Sequence, residues 1–328
     1  MSWILALAVG LIFAIVSAQM ARTRNRNVVL WTILGAVTGF LAIIVLAMIG
    51  KAETHAAVST TSAGNLTQSE FRKDSLLSVR DVSVVFGGIV ALNGVSFNMK
   101  KGQILGLIGP NGAGKTTLFN CLSRLYQPSK GDILMEGQSI LTRQASQIAE
   151  CGIGRTFQNV ALFSNLTVRD NIRIGGHCRT KSDFVSDALK LPWVRREEHD
   201  LNGKVDEIMT YLDLHNVADR QVAGLPFGTQ KRVELGRALA AEPKILLLDE
   251  PAGGLNHEEV HGLGMLIRRI RDERKMTVLL VEHHMGLVMS IADHVVALNF
   301  GKKLAEGTPA AVQSDPDVIK AYLGSKDS

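Results

Sequence analysis

The sequence predicts an α/β fold built on a mostly parallel sheet, preceded by an unrelated apolar segment. Three observations predict it. The stretch "GLIGPNGAGKTTL", Gly106 to Leu118, carries a phosphate-binding loop pattern between the apolar run Ile104–Ile108 and a helix-periodic run, Thr116 to Leu125. Short aliphatic runs then alternate with helical ones over the C-terminal third, the signature of strands covered by helices. Finally, the acidic pair Asp249-Glu250 ends one of those aliphatic runs, where open α/β sheets bind their ligands.

Composition narrows the class. The three cysteines, Cys121, Cys151 and Cys178, are odd in number and lack C-x-x-C spacing. That argues against a disulfide framework or a zinc site and suits a reducing cytosol. The net charge of +5 is uneven, +3 within residues 1–74 and +2 beyond them. It gathers into no basic stripe of the kind nucleic acids require, so no DNA or RNA partner is expected.

Taken in order, the chain opens with two apolar runs, Trp3–Ala18 and Val28–Ile49, separated by "ARTRNRN". The second has 22 residues and no charge, long enough to span a bilayer; the first is marginal. Gly35, Ala36, Gly39 and Ala42 permit close helix packing, so residues 1–50 are read as a hydrophobic membrane hairpin of two helices. Residues 51–74, rich in Ala, Ser and Thr, read as a flexible linker.

The globular domain is expected over 75–328. "LLSVRDVSVVF" and "IVALNGVSFNM" read as strands joined at Gly87-Gly88, and "KGDILMEG" as a short strand after the phosphate-loop helix. "QASQIAEC" is expected to be helical and "GIGRTFQ" extended. Residues 167–241 are mostly helical in pattern, with a mixed interruption at "RTKSDFVSDALKLPWVRRE". "KILLLDE", a helix over His257–Arg274, "MTVLLVE", a helix over His284–Ile291 and "HVVALN" follow in alternation. "PAAVQ" and "PDVIKAYLG" read as two short helices.

The phosphate loop has a direct physical reading. Gly109, Pro110, Asn111, Gly112, Ala113 and Gly114 let successive backbone N–H groups converge into an anion-binding nest. The helix beginning at Lys115, Thr116 and Thr117 adds its partial positive charge. Lys115 can reach β- and γ-phosphates, and the Thr116 hydroxyl can ligate Mg²⁺. Asp249 can hold the same Mg²⁺ through water, and Glu250 can act as general base on an attacking water.

With these residues placed, the chain from about Ser75 onward resembles the ATP-binding subunits of ABC transporters, and more closely the ATPases of branched-chain amino acid importers. Phe86 in "VVFGG" matches the aromatic that stacks on adenine. Gln158 in "RTFQN" matches the glutamine that senses Mg²⁺ and the attacking water and faces the membrane subunit. "LPFGTQKR", Leu225 to Arg232, occupies the signature position, and "AGGLN", Ala252 to Asn256, the dimer-contact loop. His283 in "LLVEHHM" matches the switch histidine at the γ-phosphate, and "DPDVIKAYLG" also resembles this branch.

The resemblance implies an ABC cassette: a RecA-like phosphate-loop core with a helical subdomain near 160–238. It implies ATP and Mg²⁺ as cofactors, and a homodimer or a heterodimer with a second ABC ATPase. In that dimer Gly228, before a helix expected to start near Thr229, faces the nucleotide of the opposite subunit. Transmembrane permease subunits and, indirectly, a periplasmic substrate-binding protein are the further partners. The place is the cytoplasmic side of the inner membrane. "NVALFSNLTVRDNI", with Val160, Leu162 and Phe163, is expected to dock the permease. Two letters depart from the wider family: Pro226 replaces a serine and Asn256 an aspartate. The importer branch tolerates both, so only the detailed roles of those positions are in question. The substrate stays open, with urea and short amides, or lipopolysaccharide export, as alternatives; a non-transport regulatory ATPase would call for tandem cassettes or a basic surface.

An inside location for the ATPase conflicts with the preference of Arg22, Arg24 and Arg26 for the cytoplasm if both apolar runs span. Either the arginine loop faces outward or the first run does not cross. The phosphate loop and the acidic pair lie wholly within 75–328. That fragment alone is therefore expected to be soluble, folded and able to bind ATP, measured by gel filtration and equilibrium nucleotide binding. Aggregation or absent binding would contradict the boundary.

Overall fold

The computed structural model describes residues 75–156, 160–179 and 192–323, all within the unit Thr67–Ser328. The apolar runs and linker expected over 1–74 lie outside the described residues. Among the described residues no helix is long and apolar enough to cross a membrane.

Two sheets are present among the described residues. Strands β1 (Ser75–Phe86), β2 (Ile89–Lys100), β4 (Lys130–Met135) and β5 (Gln138–Ser139) form an antiparallel sheet ordered β2-β1-β4-β5. Strands β3 (Ile104–Ile108), β6 (Ile153–Arg155), β7 (Ile245–Asp249), β8 (Thr277–Val281), β9 (His294–Asn299) and β10 (Lys302–Gly307) form the second, ordered β10-β9-β3-β8-β7-β6. The second is parallel throughout except for the β10–β9 pair. The parallel sheet is as expected. The strand periodicity of β1 and β2 is also as expected, but their segregation into a separate sheet is not written in either strand.

The helices are α1 (Lys115–Leu122), α2 (Val168–Gly175), α3 (Pro192–Tyr211), α4 (Phe227–Ala240), α5 (His257–Arg274), α6 (Met285–Ile291), α7 (Pro309–Gln313) and α8 (Pro316–Leu323). Central strands β3, β7 and β8 are buried at every residue, which explains their unbroken aliphatic runs. Their side chains alternate between two cores. Ile104, Ile108, Leu246, Leu248, Val278 and Leu280 face α2 to α6. Leu105, Leu107, Ile245, Leu247, Leu279 and Val281 face α1 and the antiparallel sheet, packing with Phe119 and Leu118. Helices α2, α3 and α4 pack on one another in the stretch read as a helical subdomain.

Four local readings need correction. "QASQIAEC" forms only a 3-10 turn, Ala145–Gln147, because Ile148 alone is buried there and no apolar stripe exists to dock a helix. Helix α1 stops at Leu122 rather than Leu125. Arg124 takes a φ of 59°, and its guanidinium turns outward to the Leu141 and Arg143 carbonyls. Helix α4 begins at Phe227, two residues before Thr229, since the Pro226 carbonyl already accepts from the Thr229 and Gln230 N–H groups. Strand β10 escapes sequence reading because "KKLAEG" has no apolar alternation; it is a half-exposed, lysine-bearing edge.

Candidate functional site

The site assembles at the carboxyl ends of three adjacent parallel strands. Leu107 of β3 and Asp249 of β7 both sit opposite Val281 of β8, so the three ends are level. Three segments leave these ends: the phosphate loop after Ile108, Glu250 after Asp249, and Glu282-His283 after Val281. Strand β3 is also paired with β9, so it is a central strand, and ligands of open α/β sheets bind outside the carboxyl ends of their strands.

Glycine is required at both ends of the phosphate loop. A Cβ on Gly109 would meet the Leu298 carbonyl oxygen at 2.3 Å. Gly114, which precedes α1, takes a φ of 101°, and a Cβ there would lie 2.8 Å from the Ala91 oxygen. The loop is pinned by Ala113 N–H donating to the Pro110 oxygen (3.1 Å) and Gly301 N–H to the Ala113 oxygen (3.0 Å). Asn111 and Gly112 are exposed, Pro110 is half-buried and Ala113 buried. Thr116 is exposed at the start of α1 and Thr117 half-buried.

Lys115 is 5% exposed. Its ammonium donates to the carbonyls of Gly109 (2.7 Å) and Pro110 (3.0 Å), so it is held inside the loop it serves. Burial pushes its pKa down, and the carboxylates of Glu250 and Asp249 oppose that shift. The sequence-predicted cation and acidic pair therefore share one electrostatic neighbourhood.

Asp249 is buried, and its Oδ2 accepts from Arg155 Nη2 at 2.9 Å. Burial raises its pKa, opposed by the Arg155 guanidinium. Its Oδ1 is buried with no hydrogen-bond partner among the described residues. A buried carboxylate oxygen left over at the end of β7 fits a hydrated Mg²⁺, and the Thr116 residue expected to share it is exposed at the start of α1. Gln158, the third expected ligand, lies outside the described residues.

Glu250 adopts a φ of 48°, uncommon for a residue with a side chain, and its N–H donates to the Val281 oxygen at 2.9 Å. This geometry brings its Oε1 to 2.6 Å from His283 Nε2. Both line a cleft of about 400 Å³ with Ala252, Gly253, His257, Glu282 and His284. A larger cleft of about 900 Å³ lies between α4 and α5; Pro226, Gly228 and Thr229 line it, but no phosphate-loop residue does. Gly228 occupies the first turn of α4 beside Glu259 and Leu255. Phe86, 45% exposed, stands edge-on to Tyr126 with ring centroids 5.1 Å apart. Of the three residues expected at a docking surface, Phe163 is exposed, while Val160 and Leu162 are half-buried and Leu162 packs on the core.

Two residues that sequence reading missed complete the site. Arg155 ends β6 and crosses to α1, donating to Asn120 Oδ1 (2.9 Å) and Ser123 Oγ (2.8 Å) as well as to Asp249. Its one sequence signal is an arginine at the end of a short extended run. Glu282, 3% exposed, accepts from the Ala252 N–H at 2.6 Å and the His283 N–H at 3.1 Å. Burial raises its pKa, opposed by those N–H groups. A carboxylate directly after the four aliphatic residues Val278–Val281 was the available signal. Asn256 gains a definite role here: it caps α5 reciprocally with Glu259, at 3.0 and 2.9 Å.

Removing Arg155 would leave Asp249 buried without its ion-pair and hydrogen-bond partner. Arg155→Met is expected to destabilise the fold by about 3–5 kcal/mol, and Asp249→Asn in the same background to recover much of that loss. Urea denaturation of the three proteins measures both; an Arg155→Met midpoint equal to that of the unmutated chain would show that the pair is electrostatically idle.

Comparison with known proteins agrees with this fold. A family model described as "ABC transporter" matches residues 92–253, and one described as "Branched-chain amino acid ATP-binding cassette transporter" matches residues 302–328. The chain is 43% identical over 249 residues to the high-affinity branched-chain amino acid transport ATP-binding protein BraF of Pseudomonas aeruginosa. That match covers 76% of this chain and 98% of the relative. Identity and coverage are the same for LivG of Escherichia coli K12. Among solved structures, the ADP conformation of an ATP-binding cassette of an ABC transporter superposes with a TM-score of 0.67 at 30% identity. It covers 77% of this chain and 100% of that one.

Proposed function

This chain belongs to the ABC transporter ATP-binding family, and from that premise we propose that it is the ATP-hydrolysing subunit of a branched-chain amino acid importer. The observation that carries the reading is the convergence of Lys115, Asp249, Glu250 and His283 on the level ends of β3, β7 and β8, with Glu250 and His283 in contact at 2.6 Å. The substrate class rests on the BraF and LivG likeness and on the C-terminal family match.

The residues divide the work. The loop N–H groups and Lys115 bind and orient the β- and γ-phosphates of ATP, the point charge lying where negative charge accumulates. Asp249 and Thr116 would hold Mg²⁺, which neutralises phosphate charge during transfer. Glu250 orients the attacking water and accepts its proton. In this reading His283 holds the Glu250 carboxylate and contacts the γ-phosphate. Phe86 offers an apolar face for the adenine ring. Gly228 and the start of α4 act on the nucleotide of a second cassette, so hydrolysis belongs to a dimer, homomeric or with a second ABC ATPase.

Closure of that dimer drives permease subunits fed by a periplasmic binding protein, with the ATPase on the cytoplasmic face of the inner membrane. Gln158 and Phe163 belong to the permease-facing surface in this reading.

Two substitutions separate binding from chemistry. Lys115→Ala is expected to weaken nucleotide binding itself, read by equilibrium titration, because it removes the charge on the phosphates. Glu250→Gln is expected to keep ATP affinity while turnover falls roughly 10²-fold or more. It should also accumulate an ATP-bound dimer, read by mass in solution. Near-normal turnover in Glu250→Gln would remove Glu250 from the general-base role.

A further inference from the structure

We infer that Glu282 is a positioning residue for hydrolysis, clamping the loop that carries Glu250 to the loop that carries His283; the inference rests on the ATPase reading above. Glu282 Oε1 accepts from the Ala252 N–H at 2.6 Å, two residues beyond Glu250. Its Oε2 accepts from the N–H groups of His283 at 3.1 Å and His284 at 3.4 Å. One carboxylate thus holds both loops, a separate oxygen on each.

The surroundings make this a demanding arrangement. A buried carboxylate is costly unless its oxygens are satisfied, and here backbone N–H groups of both loops satisfy them. Glu250 turns at a φ of 48°, and Gly253 N–H closes back on its carbonyl at 3.1 Å, so Ala252 lies inside that turn. Fixing Ala252 fixes the turn that aims Glu250. Fixing the His283 N–H sets the ring that meets Glu250 Oε1 at 2.6 Å. The carboxylate therefore sets the distance between two catalytic side chains without touching either reacting group.

An amide at this position keeps one acceptor oxygen and turns an NH₂ group on the other loop's donor. Glu282→Gln is therefore expected to release one loop and to lower kcat about tenfold, the loss of one charge-assisted hydrogen bond, with KM for ATP within about twofold. Glu282→Asp, which keeps the charge but shortens the reach, should fall between the two. If Glu282 acts through the Glu250–His283 geometry, Glu282→Gln added to His283→Ala should cost no further turnover.

The test is steady-state ATPase kinetics of the full-length chain and these variants, with thermal midpoints alongside. A kcat for Glu282→Gln within about twofold of the unmutated chain would overturn the inference, as would fully multiplicative losses in the double variant. So would a rise in KM at unchanged kcat. Failure of both single Glu282 variants to fold would make the residue a stability element and overturn it equally. Lys115→Ala in the same assay keeps the two readings apart. If that variant turns over normally, the ATPase reading itself fails. If it is inactive while Glu282→Gln keeps a kcat within about twofold of the unmutated chain, the clamp alone fails.

Discussion

The site depends on one constraint: β3, β8 and β7 are paired in parallel with their carboxyl ends level. Leu107 and Asp249 share Val281 as their register partner. Strand side chains alternate faces, so a slip of one residue in β7 would exchange the buried Leu246 and Leu248 with Ile245 and Leu247, sending each to the opposite core. Such a slip would also carry Asp249 off Val281 and away from Arg155, so side-chain fit in two cores and one buried ion pair hold the register. Packing far from the chemistry thus fixes where Lys115, Asp249, Glu250 and His283 emerge.

Charge is concentrated on that frame and kept in balance. Lys115 is buried inside its own loop, Asp249 is paired to Arg155, and Glu282 is satisfied by backbone donors. Each of these ions would be expensive alone in a low-dielectric interior. Together they leave little freedom: Arg155 ties β7 to α1 through Asn120 and Ser123, and Glu282 ties two loops to each other. Rigidity here serves orientation, since a phosphoryl-transfer site works chiefly by positioning and preorganised charge.

The two departures from the wider family pattern have local explanations. Pro226 begins α4 with its carbonyl, a place where a missing N–H is harmless. Asn256 replaces an aspartate with another strong helix cap and keeps the reciprocal bond to Glu259. Each residue thus satisfies the start of the helix that follows it.

The letters of the phosphate loop, the aliphatic strands and the acidic pair were legible in the sequence because local physics writes them there. Glycine marks the turns at Gly109 and Gly114, and unbroken aliphatics mark strands covered on both faces. Reading stopped where partners are distant in sequence. Nothing near Arg155 announces a bond to Asp249, 94 positions away, and nothing near Glu282 announces Ala252, 30 positions away. The membership of β1 and β2 in a second sheet, and the existence of β10, depend likewise on neighbours found only in three dimensions. The sequence by itself determined the chemistry each residue can perform and the local turns that present it. Only the tertiary structure decided which residues meet, because strand register and buried charge pairing are settled by packing across the whole sheet and not by any one segment.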